Sequence, residues 1–403
     1  MKIKLSLIAS LCAAAIVTGG YASAGSFLYG DETKGATITS NESDLNIRIR
    51  FQPRIDYGDL IKSKDSKSYS TESDLYLRRV RLEMGGSLLA KTIKYNLTLS
   101  ADKWEQTGTT TSSVSVFYAF VQWEADDAYN VTFGKAKLPY SRVSLTSSSK
   151  QLLIERPAST EAAKKVFGKT DPYYQPKLAV HGKFLGSIVA YEAAVADGWQ
   201  NGEAIHTTPA RTVYKSNPLY VGRVELSAPG WVEKSKSDAH LGNGQHLTLG
   251  VNLASQSSIE YGQTTPATTE DNRETRTLKG FDLSGHYKGF TAQFEYNDWK
   301  IETSDRAVAN SHPKGWYGQA GYFIDIKGLN VEPVVRYEIY DQDSKKQEME
   351  EKNSTVGVNW YGKGHSFKVG FNWVRTRYED MASGRLTNDN RKNVYQLQGQ
   401  MYF

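Results

Sequence analysis

From Leu45 onward, apolar and polar side chains alternate one by one, a period of two rather than 3.6. Ile47, Ile49 and Phe51 fall on one side of the first run, with Arg48, Arg50 and Gln52 on the other. In the second run Val80, Leu82 and Met84 oppose Arg79, Arg81 and Glu83, and in the third Tyr95, Leu97 and Leu99 alternate with Lys94, Asn96 and Thr98. The pattern is cleanest at Leu247, Leu249, Val251 and Leu253 and again at Phe367, Val369, Phe371 and Trp373. About sixteen runs of roughly 8 to 12 residues follow one another, an even number that suits a closed antiparallel barrel.

The connections alternate as well. Tight links carry Gly or a few polar residues, near Leu89 to Lys91, Ala125 to Ala128, Gly186, Lys288-Gly289, Lys327-Gly328 and Gly362 to Gly364. Between them lie longer polar links, near 56 to 73, 102 to 113, 136 to 177, 197 to 218, 256 to 277, 301 to 315, 341 to 352 and 378 to 392. Short turns at one rim and long loops at the other are the arrangement of outer-membrane barrels. One link breaks the rule: Pro229 to Asn243 is long where a short turn is due. The last run places Tyr395, Leu397, Gly399, Met401 and Phe403 on one face and Gln396, Gln398 and Gln400 on the other. It looks like the carboxy-terminal strand that the outer-membrane assembly machinery recognises. A soluble sandwich or propeller is the competing architecture, but no blade-length repeat or inter-domain linker is visible.

The amino terminus changes the compartment. Lys2 and Lys4, an apolar run from Leu5 to Val17 and Ala22-Ser23-Ala24 form a secretory signal peptide, residues 1–24, with cleavage expected after Ala24. Residues 25–403 then form the barrel, and the one cysteine, Cys12, leaves with the leader. No disulfide framework, thiolate metal site or Cys nucleophile is expected. After residue 24 no stretch approaches the roughly 18 apolar residues of a spanning helix. Mean hydropathy is −0.53, while 25 Tyr and 34 Gly against 11 Pro fit a barrel with aromatic girdles at the two lipid interfaces. A formal net charge of +5 is too mild to argue for nucleic acid.

The longest insert, from about 136 to 177, carries eight cationic residues against three acids and a run of hydroxyls at Ser141, Ser144, Thr146, Ser147, Ser148 and Ser149. So long a connection is uncommon unless it is functional, and we expect it to fold into the pore as a constriction. In a membrane barrel the polar face of each strand lines the lumen. The first two strands would therefore present Arg48, Arg50, Arg54, Arg79 and Arg81 inward, with Glu83 as the nearest acid. A cationic loop facing a cationic wall concentrates anions, and the serine and threonine hydroxyls are candidates to replace lost anion hydration. Later strands mix signs (Glu192, Arg223, Glu225, Asp282, Lys288, Glu295, Arg336, Glu338) and read as a paired lumen wall.

Two blocks carry a family resemblance. Leu77-Arg78-Arg79-Val80-Arg81-Leu82 followed by Gly85-Gly86 is similar to the R-R-x-R strand of the porin O/P family of phosphate-selective porins. So is Thr132-Phe133-Gly134-Lys135-Ala136-Lys137-Leu138-Pro139-Tyr140-Ser141, followed by Leu145-Thr146-Ser147-Ser148 and Ile154-Glu155-Arg156. The resembling core runs from about residue 45 to 200. The resemblance implies a sixteen-stranded trimeric barrel whose third loop forms the constriction, where arginines of the second strand and a lysine of the loop strip and bind phosphate. The matching positions are Arg78, Arg79, Arg81 and Lys137, with Lys135 beside it. Alternation supports Arg79 and Arg81 as inward and leaves Arg78 on the lipid side or at the rim. Glu83 and the mixed lumen favour general anion preference over strict phosphate selectivity.

The candidate anion-binding residues are thus Arg48, Arg50, Arg78, Arg79, Arg81, Lys135, Lys137 and Arg142, in a passive porin of the bacterial outer membrane. Its expected partners are small inorganic anions, outer-membrane lipid and two further copies of the chain, with no nucleic acid. Neither a cofactor nor a metal is expected: His240 and His246 bracket Gly242-Asn243-Gly244, a spacing with no recognised metal geometry. The alternatives are a weakly selective or sugar-permeable porin and a non-conducting scaffold barrel. An enzyme is disfavoured, because G-x-S-x-G is absent and the seven histidines fall mostly in loops or turns.

Overall fold

The computed structural model describes residues 26–31, 35–62, 69–106, 113–163, 166–168, 173–207, 210–263, 272–346, 349–379 and 391–403. The signal-peptide reading, Cys12, and Lys164, Lys165, Lys169 and Asp171 of the long insert lie outside them.

Sixteen strands, each paired antiparallel with its sequence neighbours, close into a barrel. They are β1 (Asp44–Lys62), β2 (Tyr69–Leu88), β3 (Ile93–Trp104), β4 (Ser115–Glu124), β5 (Asn130–Lys137), β6 (Tyr174–Phe184), β7 (Val189–Ala196) and β8 (Leu219–Ser227). The second half comprises β9 (Gln245–Gln263), β10 (Asn272–Tyr287), β11 (Phe290–Thr303), β12 (Lys314–Tyr322), β13 (Leu329–Asp341), β14 (Glu350–Lys363), β15 (Phe367–Tyr378) and β16 (Arg391–Tyr402). β16 closes on β1, with Val394 opposite Gly58 and Tyr402 opposite Arg50. The terminal Phe403 extends the seam, exchanging backbone hydrogen bonds with Ile49 at 3.0 and 3.1 Å and meeting Phe51 edge-on at 5.8 Å. Closure gives each of the sixteen strands a partner on both sides, which is the condition for crossing a bilayer in strands.

The period-two alternation becomes an inside and an outside. Along β9, Leu247, Leu249, Val251 and Leu253 are exposed on the outer surface while His246, Thr248 and Asn252 are buried. That inverted pattern is what a lipid-facing wall around a polar lumen demands.

The tight turns gather at one rim. Lys288 and Gly289 both take positive φ, 47° and 82°, the two-residue turn whose twist matches the flanking strands. The exception seen in the sequence, residues 228–244 between β8 and β9, does not dangle from that rim. Asp238 and Ala239 donate backbone N–H groups to the carbonyl of Lys150, and Ala239 packs with Leu152, Leu153, Val334 and Tyr361.

The long insert starts later and ends earlier than its sequence limits, because β5 runs to Lys137 and β6 begins at Tyr174; the connecting segment is 138–173. It holds two short helices, α1 (Arg142–Leu145) and α2 (Ala158–Ala163). α1 begins with a reciprocal cap: Ser144 N–H donates to the Ser141 hydroxyl, and Ser141 N–H donates to the Ser144 hydroxyl. An apolar floor of Leu138, Tyr140, Phe167 and Tyr173, with Tyr140 stacked on Phe167 at 5.5 Å, ties the segment to Phe117 and Trp299 of the strands.

Candidate functional site

Buried backbone groups must find partners, and those of segment 138–173 find them on inward side chains around the barrel. The Ser149, Gln151, Leu152 and Glu155 carbonyls accept from Gln400, Lys368, Asn359 and Arg336 at 3.2, 3.1, 2.7 and 2.9 Å. The Ala158 N–H donates to Glu338 at 2.5 Å, and Glu295 accepts from Val143 N–H and the Thr160 hydroxyl. On β12, a Cβ on Gly315 would sit 2.5 Å from the Cβ of Ser159, so the wall is thinned where α2 leans on it.

On the β1–β5 side the same segment faces the arginines. Two cavities lie there, of about 380 and 430 Å³, and share Arg81 and Tyr174 as a common wall. The first is lined by Arg48, Arg50, Lys137, Ser147, Ser148 and Lys177 with Glu83 and Glu192; the second by Arg54, Arg78, Arg79 and Arg156 with Asp56, Asp102 and Glu155. Together the two linings hold ten cations against six acids.

The individual placements follow from strand register. Arg50 lies opposite Arg81, and Gln52 opposite Arg79. The next pair is Pro53 opposite Leu77, so Arg78 is the extra residue of a β-bulge on β2. The bulge resets the alternation and turns Arg78 inward, where its Nε and Nη2 donate to Glu155 at 2.5 and 3.1 Å. This corrects the expectation that Arg78 faces lipid or the rim. A second bulge in the β3–β4 pairing, at Phe117, turns that ring inward beneath the Arg81 guanidinium, 3.6 Å from the ring centre.

The picture of a cationic loop facing a cationic wall is corrected at Glu155, an acid of the insert that sits on the arginines. Glu155 accepts from Arg54 as well as Arg78 and lies 3.5 Å from Arg79. Burial alone would raise the Glu155 carboxyl, but Arg78, Arg54 and Arg79 outweigh it and hold it well below the usual carboxylate range. Asp102 takes Arg81 at 3.2 Å, and Glu83 takes Arg48 and Arg50 at 2.5 and 3.0 Å. Lys137 and Arg156 differ, making no ion pair among the described residues. Lys137 Nζ donates to the Leu145 carbonyl at 2.5 Å, and Arg156 donates to the carbonyls of Val143 and Thr146 at 3.3 and 3.1 Å. Both therefore hold the carboxy-terminal end of α1 with their charge left over, the favourable sign for that end.

Two sequence candidates stand elsewhere. Lys135 shares its side of β5 with the lipid-facing Phe133 and donates to the Val116 carbonyl at 2.8 Å, outside both cavities. Arg142 is buried and donates to both oxygens of Glu233 at 2.8 and 2.7 Å and to the Ser237 carbonyl at 2.7 Å. Its two terminal nitrogens are taken by the 228–244 segment. Of the hydroxyls, Ser141 and Ser144 are consumed by the helix cap, while Ser147 and Ser148 reach a cavity. Sequence reasoning passed over Arg156, whose signal was its place in the Ile154-Glu155-Arg156 block. The mixed-sign wall is paired as expected, with Arg223 on Asp282 at 2.6 Å and Arg336 by Glu338 at 3.3 Å.

The chain is similar over 393 residues, at 35% identity, to an uncharacterised protein of Aquifex aeolicus (strain VF5), covering 91% of this chain and 89% of that one. Its fold is similar to an anion-selective porin from Comamonas acidovorans, with a TM-score of 0.63 at 13% identity over 90% of this chain and 100% of that one. Salmonella typhi OmpF, solved with daunomycin, gives a TM-score of 0.58 at 11% identity, with 91% and 100% covered. The trimer form of Vibrio cholerae OmpT gives 0.55 at 9%, with 90% and 100% covered. The family model of the phosphate-selective porins O and P matches residues 47–403, and the chain, a porin of the bacterial outer membrane, belongs to that family.

Proposed function

We propose that this porin conducts small anions passively, with phosphate the first candidate, through a constriction formed between segment 138–173 and the arginine wall of β1 and β2. The observation that carries the reading is the surplus of ten cations over six acids in the two cavities on that wall, with Lys137 and Arg156 donating to backbone carbonyls and making no ion pair among the described residues. A unit charge acts on an anion about 4 Å away with roughly 1 kcal/mol in bulk water and about 4 kcal/mol at the effective dielectric of a protein site. A surplus held in a narrow bore therefore selects anions where the same surplus on an open surface would not. Arginine forks match phosphate or carboxylate oxygens, and a spread of sites releases the ion better than one tight pocket. We further propose removal of residues 1–24 on export and assembly as a homotrimer, a trimer form being one in which the similar Vibrio cholerae OmpT was solved.

Single-channel recording of the refolded protein in a planar bilayer, across a chloride gradient with phosphate titrated in, tests the reading. The expected result is an anion-side reversal potential, chloride current blocked by phosphate, and loss of that block in Arg79→Ala or Lys137→Ala. A neutral or cation-side reversal without phosphate block would leave a weakly selective porin, and no current at all a scaffold barrel.

A further inference from the structure

At the short-turn rim three imidazoles converge. His246 on β9 and His286 on β10 are directly opposite each other in the strand register, and both are buried in the lumen. His240 comes from the 228–244 segment, its ring centre 4.6 Å from that of His246 and 4.6 Å from that of His286. One ring nitrogen from each lies within 4.8 Å of the other two. The 240/246 spacing alone carried no metal signal; the third member, His286, arrives through strand pairing.

At least one nitrogen of each ring is without a protein hydrogen bond. His246 Nε2 pairs with the Ser284 hydroxyl at 3.2 Å, which leaves its Nδ1. That nitrogen, both nitrogens of His286 and Nε2 of His240 have no protein hydrogen-bond partner. A buried polar nitrogen without a partner is costly, and one from each ring is placed to share a single ligand. A ring anchored through one nitrogen and open at the other is the usual posture of a metal-binding histidine. Glu233 stands 3.5 Å from His240 and supplies negative charge at the site's edge.

We propose that His240, His246 and His286 form a binding site for a first-row divalent transition metal, of which Zn²⁺ is the type. Three imidazoles suit Zn²⁺, Cu²⁺ or Ni²⁺ and do not suit Mg²⁺ or Ca²⁺, which take oxygen ligands. Zn–N bonds of about 2.0–2.1 Å place tetrahedral ligand nitrogens roughly 3.3 Å apart, so the rings draw together when the ion binds. The ion then ties the 228–244 segment to β9 and β10, and through Glu233 and Arg142 it steadies segment 138–173. The site is independent of which solute the pore conducts.

The test uses the full-length barrel in detergent, stripped with chelator and titrated with Co²⁺ by visible absorption and with Zn²⁺ by calorimetry. One ion per chain is expected, weakened at least tenfold in His240→Asn and in His286→Gln and unchanged in His312→Asn, a histidine outside the cluster. Absence of a Co²⁺ spectrum and of Zn²⁺ heat, or equal affinity in wild type and the two cluster variants, overturns the site. Should the variants fail to refold, Cu²⁺ resonance on the wild-type barrel decides: nitrogen splitting from three imidazoles upholds it, and splitting from one or none overturns it.

Discussion

Arg142 and Glu233 join the two irregular segments of the barrel, one descending from the long-loop rim and the other rising from the short-turn rim. Their two hydrogen bonds, 2.8 and 2.7 Å, span 91 residues of sequence in a site where Arg142 is 1% exposed. Removing one partner of a buried pair leaves the other as an uncompensated charge, at a cost of about 3–5 kcal/mol. The strand ladder does not depend on this pair, so Arg142→Ala is expected to leave the barrel closed and to loosen segment 138–173. Open-channel current noise reads the difference. A variant as quiet as wild type would mean that the wall contacts alone fix the segment.

A second prediction concerns pH. Glu155 is a carboxylate whose folded value is depressed, so its contribution to stability is fully present above the unfolded value of about 4.3 and is lost only as pH falls through the far lower folded one. Its charge is therefore constant through mild acid. The contribution of Glu155 to the reversal potential, read as the difference between wild type and Glu155→Gln, is expected to hold between about pH 7 and pH 4.5, the range where an unperturbed carboxyl of about 4.3 begins to titrate. A drift toward stronger anion preference on mild acidification, absent in Glu155→Gln, would show that the carboxyl is not held by its arginines.

The barrel was legible in the alternation because side-chain parity along a strand is a local property: Leu247 to Leu253 face lipid as the pattern requires. The alternation of short and long links gave the rims, and the last alternating run is the final strand, which Phe403 prolongs along the seam. Arg78 and Phe117 were not legible, since a bulge breaks parity at a point that no residue type announces. Glu155 was visible as one of few acids in the insert, but its arginine partners lie 77 and 101 residues away. His286 joins His246 only through register across a hairpin, and His240 only through the path of the 228–244 segment.

The bulge makes a third prediction. Arg78 gives Glu155 two hydrogen bonds, while Arg54 gives it one. Arg78→Ala should therefore leave Glu155 paired on fewer donors, a loss of about 1.5–3 kcal/mol for a hydrogen bond to a charged group, and should shift the reversal potential toward neutrality. Glu155→Gln should shift it the other way, because three arginines then lose their shared acid. Shifts of the same sign in the two variants would contradict the ion-pair geometry.

The last prediction separates cations that carry charge from cations that hold structure. Arg48, Arg50, Arg54, Arg78, Arg79 and Arg81 each lie within ion-pair distance of a carboxylate. Lys137 and Arg156 do not, and both line the cavities on either side of Tyr174. A paired arginine already gives donors to a carboxylate, so neutralising it takes less from a passing anion. Lys137 and Arg156 have no carboxylate partner among the described residues, so neutralising either, as Lys137→Gln or Arg156→Gln, takes more. Both variants keep a donor for the α1 carbonyls, so the segment should stay in place while anion preference falls. The reversal potential is expected to move further in each than in Arg48→Gln, where Glu83 keeps Arg50 at 3.0 Å. Equal shifts in all three would mean that the bore responds to total charge alone, and that the carboxylates beside the arginines have no part in setting its selectivity.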